Sequence, residues 1–290
     1  MLAIVSKEFK SRMRGWRTPV VLTIYVGVLA AVAYAQAESI ANRALNSFGG
    51  SSPASQGIEI FSTLAGFQLA LLIFLTPAFS SGSLAGERER QTFDLLLCTG
   101  LSAPAIVLGK YVASIAFVLL LLWASLPVFS LVFLFGGVTP QTIASLMLLC
   151  FSTAVVISAI TVLLSAIFHR VQVVTALAYG IVFFQTVGLG IISGLGAAFV
   201  GSGVPRPPIT AMISPITALV SLLSTENTPY VGIQYLPLPV YVTRNFPQLT
   251  QFHLALWEVH VVFDLLIAFV VLGIAALIIR PAHPMPRLRR

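Results

Sequence analysis

The chain has 290 residues, of which 58% are hydrophobic and only 9% are charged, and its formal net charge at pH 7 is +7. A mean hydropathy of +0.98 excludes a soluble domain, which needs much more polar surface to cover its core. The lysines and arginines flank apolar segments, where such residues set orientation and contact anionic lipid. We therefore expect one membrane domain over residues 1–290 and no nucleic-acid partner.

Six segments are apolar and long enough to cross a hydrocarbon core, which takes about 20 helical residues. If both termini are cytoplasmic, only Arg43, Arg206 and Arg244 of the 16 basic residues lie outside, as the positive-inside rule requires. The sequence thus predicts an all-α protein with six transmembrane helices and cytoplasmic N and C termini. The predicted spans are residues 19–36, 58–81, 104–135, 142–168, 171–199 and 252–279.

The residues before the first span have an amphipathic pattern. Over residues 1–17, apolar side chains such as Ile4, Phe9 and Trp16 fall near one helical face, and most charged side chains fall elsewhere. This pattern predicts an interfacial helix along the inner leaflet, with Trp16 at headgroup depth. A disordered basic tail is the alternative.

The loop between the second and third spans, residues 85–103, gathers charge in a chain that has little of it. It reads AGERERQTFDLLLCTGLSA. One interpretation is a helix that binds a partner, in which Glu89, Phe93 and Leu96 or Leu97 share one face and offer acidic and apolar contacts. The alternative is a solvated loop whose charges only set the topology.

A catalytic or metal-binding role for the same loop would have to use its carboxylates. Against this role, Arg88 and Arg90 would neutralise Glu87 and Glu89, and no histidine lies nearby in the sequence. Neither cysteine lies at metal-ligand spacing from another ligand. We predict no metal site in the loop.

The fifth span and the segment after it contain two further features. Gly190 and Gly194 form a small-xxx-small pair, which permits close helix approach or local bending. Residues 201–251 are rich in proline and aromatic residues and are expected outside the cytoplasm. Within them, residues 209–223 are apolar but too short to span, which predicts a re-entrant or interfacial helix before span six.

The last span contains His260 and Asp264, one helical turn apart. Ionisable groups inside a membrane span are costly and are therefore candidates for function. They could form a polar lining of a translocation path, contribute to a metal site, or have no functional role, with Asp264 simply hydrogen-bonded inside the bundle. The sequence leaves these three interpretations open.

The loop resembles the coupling-helix region of permease subunits of type-2 ABC transporters. That region carries an acidic, threonine-containing, leucine-rich stretch, then a small-residue turn and a Gly-Lys pair. The N-terminal residues 7–17 and the junction of spans four and five, residues 163–179, are also similar to the family. The matching loop residues are Glu87, Glu89, Thr92, Leu95, Leu96, Leu97, Gly100, Leu101, Ser102, Gly109 and Lys110.

The resemblance implies a permease that pairs with a second permease and docks on a separate ABC ATPase subunit. The chain would itself be no enzyme and bind no cofactor, because ATP and magnesium would bind to the ATPase. In agreement, Gly109-Lys110 is followed by Tyr111 and lacks the earlier glycine of a phosphate loop. The residues implied at the ATPase contact are Glu87, Arg88, Glu89, Arg90, Thr92, Phe93, Asp94, Leu96, Leu97, His169 and Arg170.

The resemblance further implies the inner membrane of a prokaryote, export of a substrate, and a permease–permease contact on spans one and five that Gly190 and Gly194 would suit. One alternative is an ATPase-driven membrane scaffold that acts on an envelope partner and transports no solute. Another is an intramembrane enzyme that uses His260 and Asp264. The sequence does not predict the substrate.

Overall fold

The computed structural model describes residues 15–46, 52–93, 103–192, 212–225 and 256–279. These residues form helices joined by turns, with no strand among them. Six of the helices are long and apolar enough to cross a membrane, which confirms the predicted all-α, six-span plan. The helices are α1 (Arg17–Asn46), α2 (Pro53–Ser80), α3 (Ala85–Glu89), α4 (Ala103–Ser130), α5 (Pro140–Ile167), α6 (Val171–Phe183), α7 (Pro215–Thr225) and α8 (Leu256–Ile278).

Two of the spans continue beyond their α-helical part. A 3-10 turn, Leu131–Leu134, extends α4. A π-helical segment, Phe184–Gly188, extends α6, and helix then resumes to residue 192. Short π-helical segments within α-helices are often found at functional sites. Residues 193–199 of the predicted fifth span lie outside the described residues.

The first helix is longer than predicted, since it continues from residue 36 to Asn46. The extension is rich in alanine, the best helix former. It is also held by α2, because Gln36 and Arg43 both donate hydrogen bonds to the Glu59 carboxylate, at 2.9 and 2.8 Å. Hydropathy stops at the first polar residues, and so it missed this part of the helix.

Two spans start in the same way at the end of the bundle where Arg43 and Glu59 meet. The Ser52 hydroxyl accepts a hydrogen bond from the Ser55 N–H at the start of α2, and the Thr139 hydroxyl accepts one from the Thr142 N–H at the start of α5. In each case a proline follows the capping residue. Proline is tolerated there because its missing N–H would have no partner in the helix.

A close backbone approach joins these two helix starts. Gly136 and Gly137, in the turn before α5, have φ of +78° and +81°, a region that favours glycine. Gly57 of α2 packs directly on this turn, and a Cβ atom at position 57 would overlap the Gly136 carbonyl oxygen. Glycine at position 57 therefore lets span two approach the turn after span three.

The fourth span, α5, is the central helix of the bundle. It packs against α2, α4, α6, α7 and α8, and 72% of its apolar window is buried, compared with 11% for α1. It is apolar or small on every side, as expected for a helix surrounded by others. The exposed apolar side chains of α1, such as Ile24 and Tyr34, face lipid or another subunit.

A buried hydrogen-bonded chain fastens the first three spans together. The Tyr25 hydroxyl of α1 donates to Gln68 Oε1 of α2 at 2.7 Å, and Gln68 Nε2 donates to Ser125 Oγ of α4 at 3.2 Å. Interhelical hydrogen bonds of this kind hold membrane helices together where the hydrophobic effect cannot.

Two predicted elements are only partly covered by the described ranges. The interfacial helix predicted over residues 1–17 lies outside them except for its last three residues. Of the apolar stretch predicted over residues 209–223, the described part contains α7, a helix with largely buried side chains. It packs on α5, α8 and the π-helical segment of span five. A short helix before span six is therefore present.

Candidate functional site

The turn and short helix after span two form the first candidate site, which we call the elbow (residues 81–93). α2 ends at Ser80, and the chain then turns through four residues into α3. The elbow lies at the end of the bundle opposite Arg43 and Glu59. We call this the basic end. Its charged residues include, within the described part of the chain, Arg17, Glu87, Arg88, Glu89, Arg90, Lys110 and Arg170.

Ser165 of span four fastens the start of α3. Its hydroxyl accepts hydrogen bonds from the Leu84 and Ala85 N–H groups, at 2.9 and 2.7 Å, and donates one to the Ser81 carbonyl at 3.0 Å. All three hydrogen-bonding positions of the hydroxyl are therefore used, and Ser165 is fully buried. The residue at the N-cap position, Leu84, has no side chain that could cap the helix, so Ser165 caps α3 from another span.

Glu87 fastens α3 to span three. Its carboxylate accepts a hydrogen bond from Lys110 Nζ at 2.9 Å, and the Thr92 hydroxyl donates a second one. Lys110 is only 4% exposed, and a buried ammonium group is tolerated only where an opposite charge compensates it. The acidic residue and the Gly-Lys lysine of the family-like motif are thus in contact.

Glu89 fastens α3 to span five. Its carboxylate accepts a hydrogen bond from the Val171 N–H, at 2.8 Å, at the first residue of α6. Arg170, at the N-cap position of α6, provides no side-chain cap. A carboxylate at a helix N-terminus satisfies a free N–H and interacts favourably with the helix dipole. The Glu89 side chain therefore caps α6.

The predicted continuous helical face through Glu89 and Phe93 is wrong. α3 ends at Glu89, and Gln91 has φ of +58°, a conformation that few residues other than glycine adopt. The chain therefore changes direction between the two residues. Phe93 instead lies under Arg88, whose guanidinium carbon is 4.8 Å from the ring centroid, a cation–π contact.

An open cleft of about 570 Å³ lies beside the elbow, lined by Arg88, Gln91, Phe93 and His169. Arg90 and Arg170 are exposed near it, and His169 is exposed as well. The cleft is therefore bordered by cationic or protonatable groups and has one aromatic wall. Asp94, Leu96 and Leu97, also implied at the ATPase contact, lie outside the described residues.

His260 and Asp264 form a second candidate site inside the bundle. Both side chains are completely buried, and His260 Nε2 lies 3.1 Å from Asp264 Oδ2. His260 Nδ1 lies 2.8 Å from the Met212 carbonyl oxygen. Since a carbonyl can only accept, Nδ1 is a ring nitrogen that carries a proton.

The Nε2–Oδ2 contact is close, but its angles are not those of a hydrogen bond, and neither carboxylate oxygen of Asp264 has another partner in the described part of the chain. No third histidine, cysteine or carboxylate of the described residues completes a metal site here.

Other buried polar groups join the same region. Ser214 Oγ donates to the Thr186 carbonyl at 3.2 Å, and Gln185 Nε2 donates to the Ile213 carbonyl at 3.4 Å. Gln185 and Thr186 belong to the π-helical segment of span five. Together with the bond from His260 to Met212, these contacts hold the residues before α7 between spans five and six.

Of the glycine pair predicted at a permease–permease contact, Gly190 is buried within the single chain. Gly194 lies outside the described ranges. The exposed side chains of the same span, Leu177, Ile181 and Phe184, are apolar and suit lipid or a second subunit.

Sequence reasoning found the elbow but missed its most connected residue, Ser165. A serine in an apolar span gives no signal, because most such serines bond to their own helix. The one signal in the sequence is the similarity of residues 163–179, which include Ser165, to the family.

Comparison with known proteins bears on the chain as a whole. The sequence model of the family described as ABC-2 family transporter protein matches residues 2–280, which is nearly the whole chain. A search of curated proteins gives no match.

Proposed function

This chain belongs to the family of ABC-2 transporter proteins, and on that premise we propose that the elbow receives the movement of a separate ATPase subunit and passes it to the spans. The chain is a multi-pass membrane protein and acts as a permease subunit. ATP and magnesium bind to the ATPase, and a second permease, identical or different, completes the transport unit. The membrane is the inner membrane of a prokaryote, and the direction is export.

The observation that carries the proposal is the threefold attachment of α3. Ser165 joins it to span four, the Glu87–Lys110 pair joins it to span three, and Glu89 joins it to span five. An element attached to one span would move that span alone. An element attached to three neighbouring spans moves them together, as a change in access to a central path requires.

The elbow also lies where a soluble partner can reach it. α2 has 28 residues and is about 42 Å long, compared with a hydrocarbon core of about 30 Å. The positive-inside rule places the basic end in the cytoplasm, which is where ATP is available. His169 and Arg170 contact the same ATPase subunit at a second, shorter site beside the elbow.

His260 and Asp264 can line a translocation path only if α7 moves away. Both side chains are covered in the described state, and the backbone before α7 binds His260 directly. The polar region between spans five and six is therefore closed in this state. Opening it would expose a carboxylate and an imidazole to the path.

A photo-cross-linking amino acid at Gln91 tests the docking. Gln91 is exposed at the elbow, so it should form a covalent product with the ATPase subunit in membranes. Ser130, exposed at the opposite end, is the control position and should give none. A Gln91→Cys variant labelled by an impermeant thiol reagent from the outer side, or the absence of any cross-link to an ATPase, would contradict the proposal.

Vesicle transport then separates a transporter from a scaffold. Reconstituted permease and ATPase should move solute in an ATP-dependent manner, and Ser165→Ala should lower the amount of solute moved per ATP hydrolysed. ATP hydrolysis that responds to the permease, without movement of any candidate solute, would favour the scaffold.

A further inference from the structure

We infer that the ATPase surface that docks on the elbow is acidic and that its carboxylates are bound by arginines of this chain, chiefly Arg88. This inference rests on the proposed docking function and identifies its chemistry. The sequence alone predicts an acidic partner contact through Glu89, and the family resemblance implies Glu87 at the same contact, beside Arg88 and Arg90. The structure assigns them another task.

Both elbow carboxylates are already used inside the chain. Glu87 is bound by Lys110 and Thr92, and Glu89 caps the N-terminus of α6. If a partner used Glu87, the nearly buried Lys110 ammonium would lose its acceptor, which is costly for a buried charge. If a partner used Glu89, α6 would lose its N-terminal cap. The elbow therefore has little acidic character to offer a partner.

The arginines in the elbow and next to it have different surroundings from the two carboxylates. Arg88 is half-buried on the Phe93 ring and lines the cleft, while Arg90 and Arg170 are exposed beside it. Within the described part of the chain, none of the three forms an ion pair with a carboxylate. A guanidinium group offers five N–H donors in a planar fork that fits a carboxylate.

Stacking prepares Arg88 for such a contact. The aromatic ring fixes one face of the guanidinium group, so less side-chain entropy is lost when a carboxylate binds to its edge. Arg88 is also partly buried against the Phe93 ring, and a charge-assisted hydrogen bond is stronger where less water competes. Arg90 and Arg170 lie in open solvent, where an ion pair is worth little. Arg88 should therefore dominate.

Anionic lipid headgroups are the other ligands that this cationic surface could bind. The cleft favours a protein, because it is concave, has an aromatic wall and adjoins a helix attached to three spans. A headgroup bound there would neutralise the arginines but would not move the helix. Binding of anionic lipid by the same arginines is one of the outcomes that the experiment below distinguishes.

The test measures the affinity of the full-length permease, in nanodiscs of zwitterionic lipid, for the ATPase subunit with which it co-purifies. We expect the affinity of the unmodified pair to fall steeply as salt rises from about 0.05 to about 0.5 M. Arg88→Gln should weaken binding about tenfold, with slower association. Arg90→Gln should weaken it about threefold or less.

The controls separate charge from position and from folding. Arg43→Gln removes an arginine at the opposite end and should leave the affinity unchanged. Arg88→Lys keeps the charge but loses the planar fork, and should fall between the original residue and Arg88→Gln. Arg88→Glu should be rescued by a lysine replacing an acidic residue on the ATPase. The salt titration needs no variant, so it is decisive even if a substitution impairs folding.

Three results have distinct meanings. Salt-independent binding together with full affinity in Arg88→Glu would overturn the inference and leave the docking proposal intact. Full ATPase affinity in Arg88→Gln, together with weaker binding of that variant to phosphatidylglycerol, would overturn it in favour of lipid. No binding of an ATPase by the unmodified chain would overturn the proposed function itself.

Discussion

The elbow and the His260–Asp264 pair differ in the surroundings of their carboxylates. At the elbow, Glu87 and Glu89 each bind a donor on another helix, and both remain close to water. Inside the bundle, Asp264 is completely buried and faces only the imidazole of its own helix among the described residues. The elbow uses charge to join helices, while the interior pair places its polar groups against each other within one helix, away from water.

The comparison indicates how each region can move. The bonds of the elbow tie three spans to one short helix, so that region should move as a unit. Around the interior pair, three hydrogen bonds to backbone carbonyls hold the residues before α7 between spans five and six, so that region opens only if α7 and these bonds move together. Substitutions should therefore have larger effects at the elbow than their exposure suggests.

The largest effect is expected from Ser165→Ala. It leaves two buried N–H groups without an acceptor and should lower the free energy of unfolding by about 3 kcal/mol. Ser152→Ala is the matched control, since Ser152 is buried in the same helix and bonds only to its own Leu149 carbonyl, and it should cost under about 1 kcal/mol. Detergent-titration unfolding measures both. Equal losses of stability in the two variants would contradict the role of Ser165 as the cap of α3 that joins span four to the end of span two.

Two substitutions of Asp264 distinguish a neutral contact with His260 from an ionic one. Asp264→Ala should cost about 2 kcal/mol, because His260 Nε2 loses its partner and a void remains. Asp264→Asn should cost under about 1 kcal/mol, because the amide can donate to Nε2 as a protonated carboxyl does. Thermal unfolding in nanodiscs measures the two variants side by side. If Asn costs as much as Ala, His260 is a cation and the pair is ionic.

Glu87 and Lys110 should behave as one unit. Glu87→Gln keeps the shape but removes the charge facing a nearly buried ammonium group, and should cost about 1–2 kcal/mol. The Glu87→Gln/Lys110→Met double variant should recover most of that loss, because no buried charge remains. A double-mutant cycle in unfolding experiments gives the coupling, and additive effects would mean that the pair contributes nothing.

The smallest effect is expected at Glu89, which is exposed. Glu89→Ala should cost about 1 kcal/mol through loss of the cap of α6, and Glu89→Gln under about 0.5 kcal/mol, since its amide oxygen still accepts. Hydrogen exchange at Val171, measured in nanodiscs, reports the cap directly. Unchanged exchange in Glu89→Ala would show that the cap is not maintained in the membrane.

Hydropathy and charge predicted the six spans because bilayer crossing depends on length and apolar content, and both can be read locally. The short helix before span six followed from the same reasoning. The extension of α1 to Asn46 was missed because its stability comes from contacts with Glu59, which composition does not record. The break at Gln91 was missed because glutamine has no preference for positive φ.

The candidate sites show the same division. Charge density located the elbow, and its residues from Glu87 to Arg90 were named from the sequence. The partners of those residues lie in other helices: Ser165 is about 80 positions away from the backbone groups that it bonds, and Val171 is 82 positions from Glu89. Such pairings depend on which spans are neighbours, and no local pattern encodes that. For this reason the sequence predicted that Glu89 contacts a partner, whereas its carboxylate binds the start of α6.

The most direct test of the account measures whether the elbow and span four move together. Spin labels at Gln91 and at Ile167, the exposed end of α5, would be placed in a permease without other reactive cysteines and assembled with its ATPase. We expect the distance between these labels to stay constant on ATP binding, while the distance from Gln91 to the second permease changes. A Gln91–Ile167 distance that changes with ATP, with span four stationary, would contradict the account.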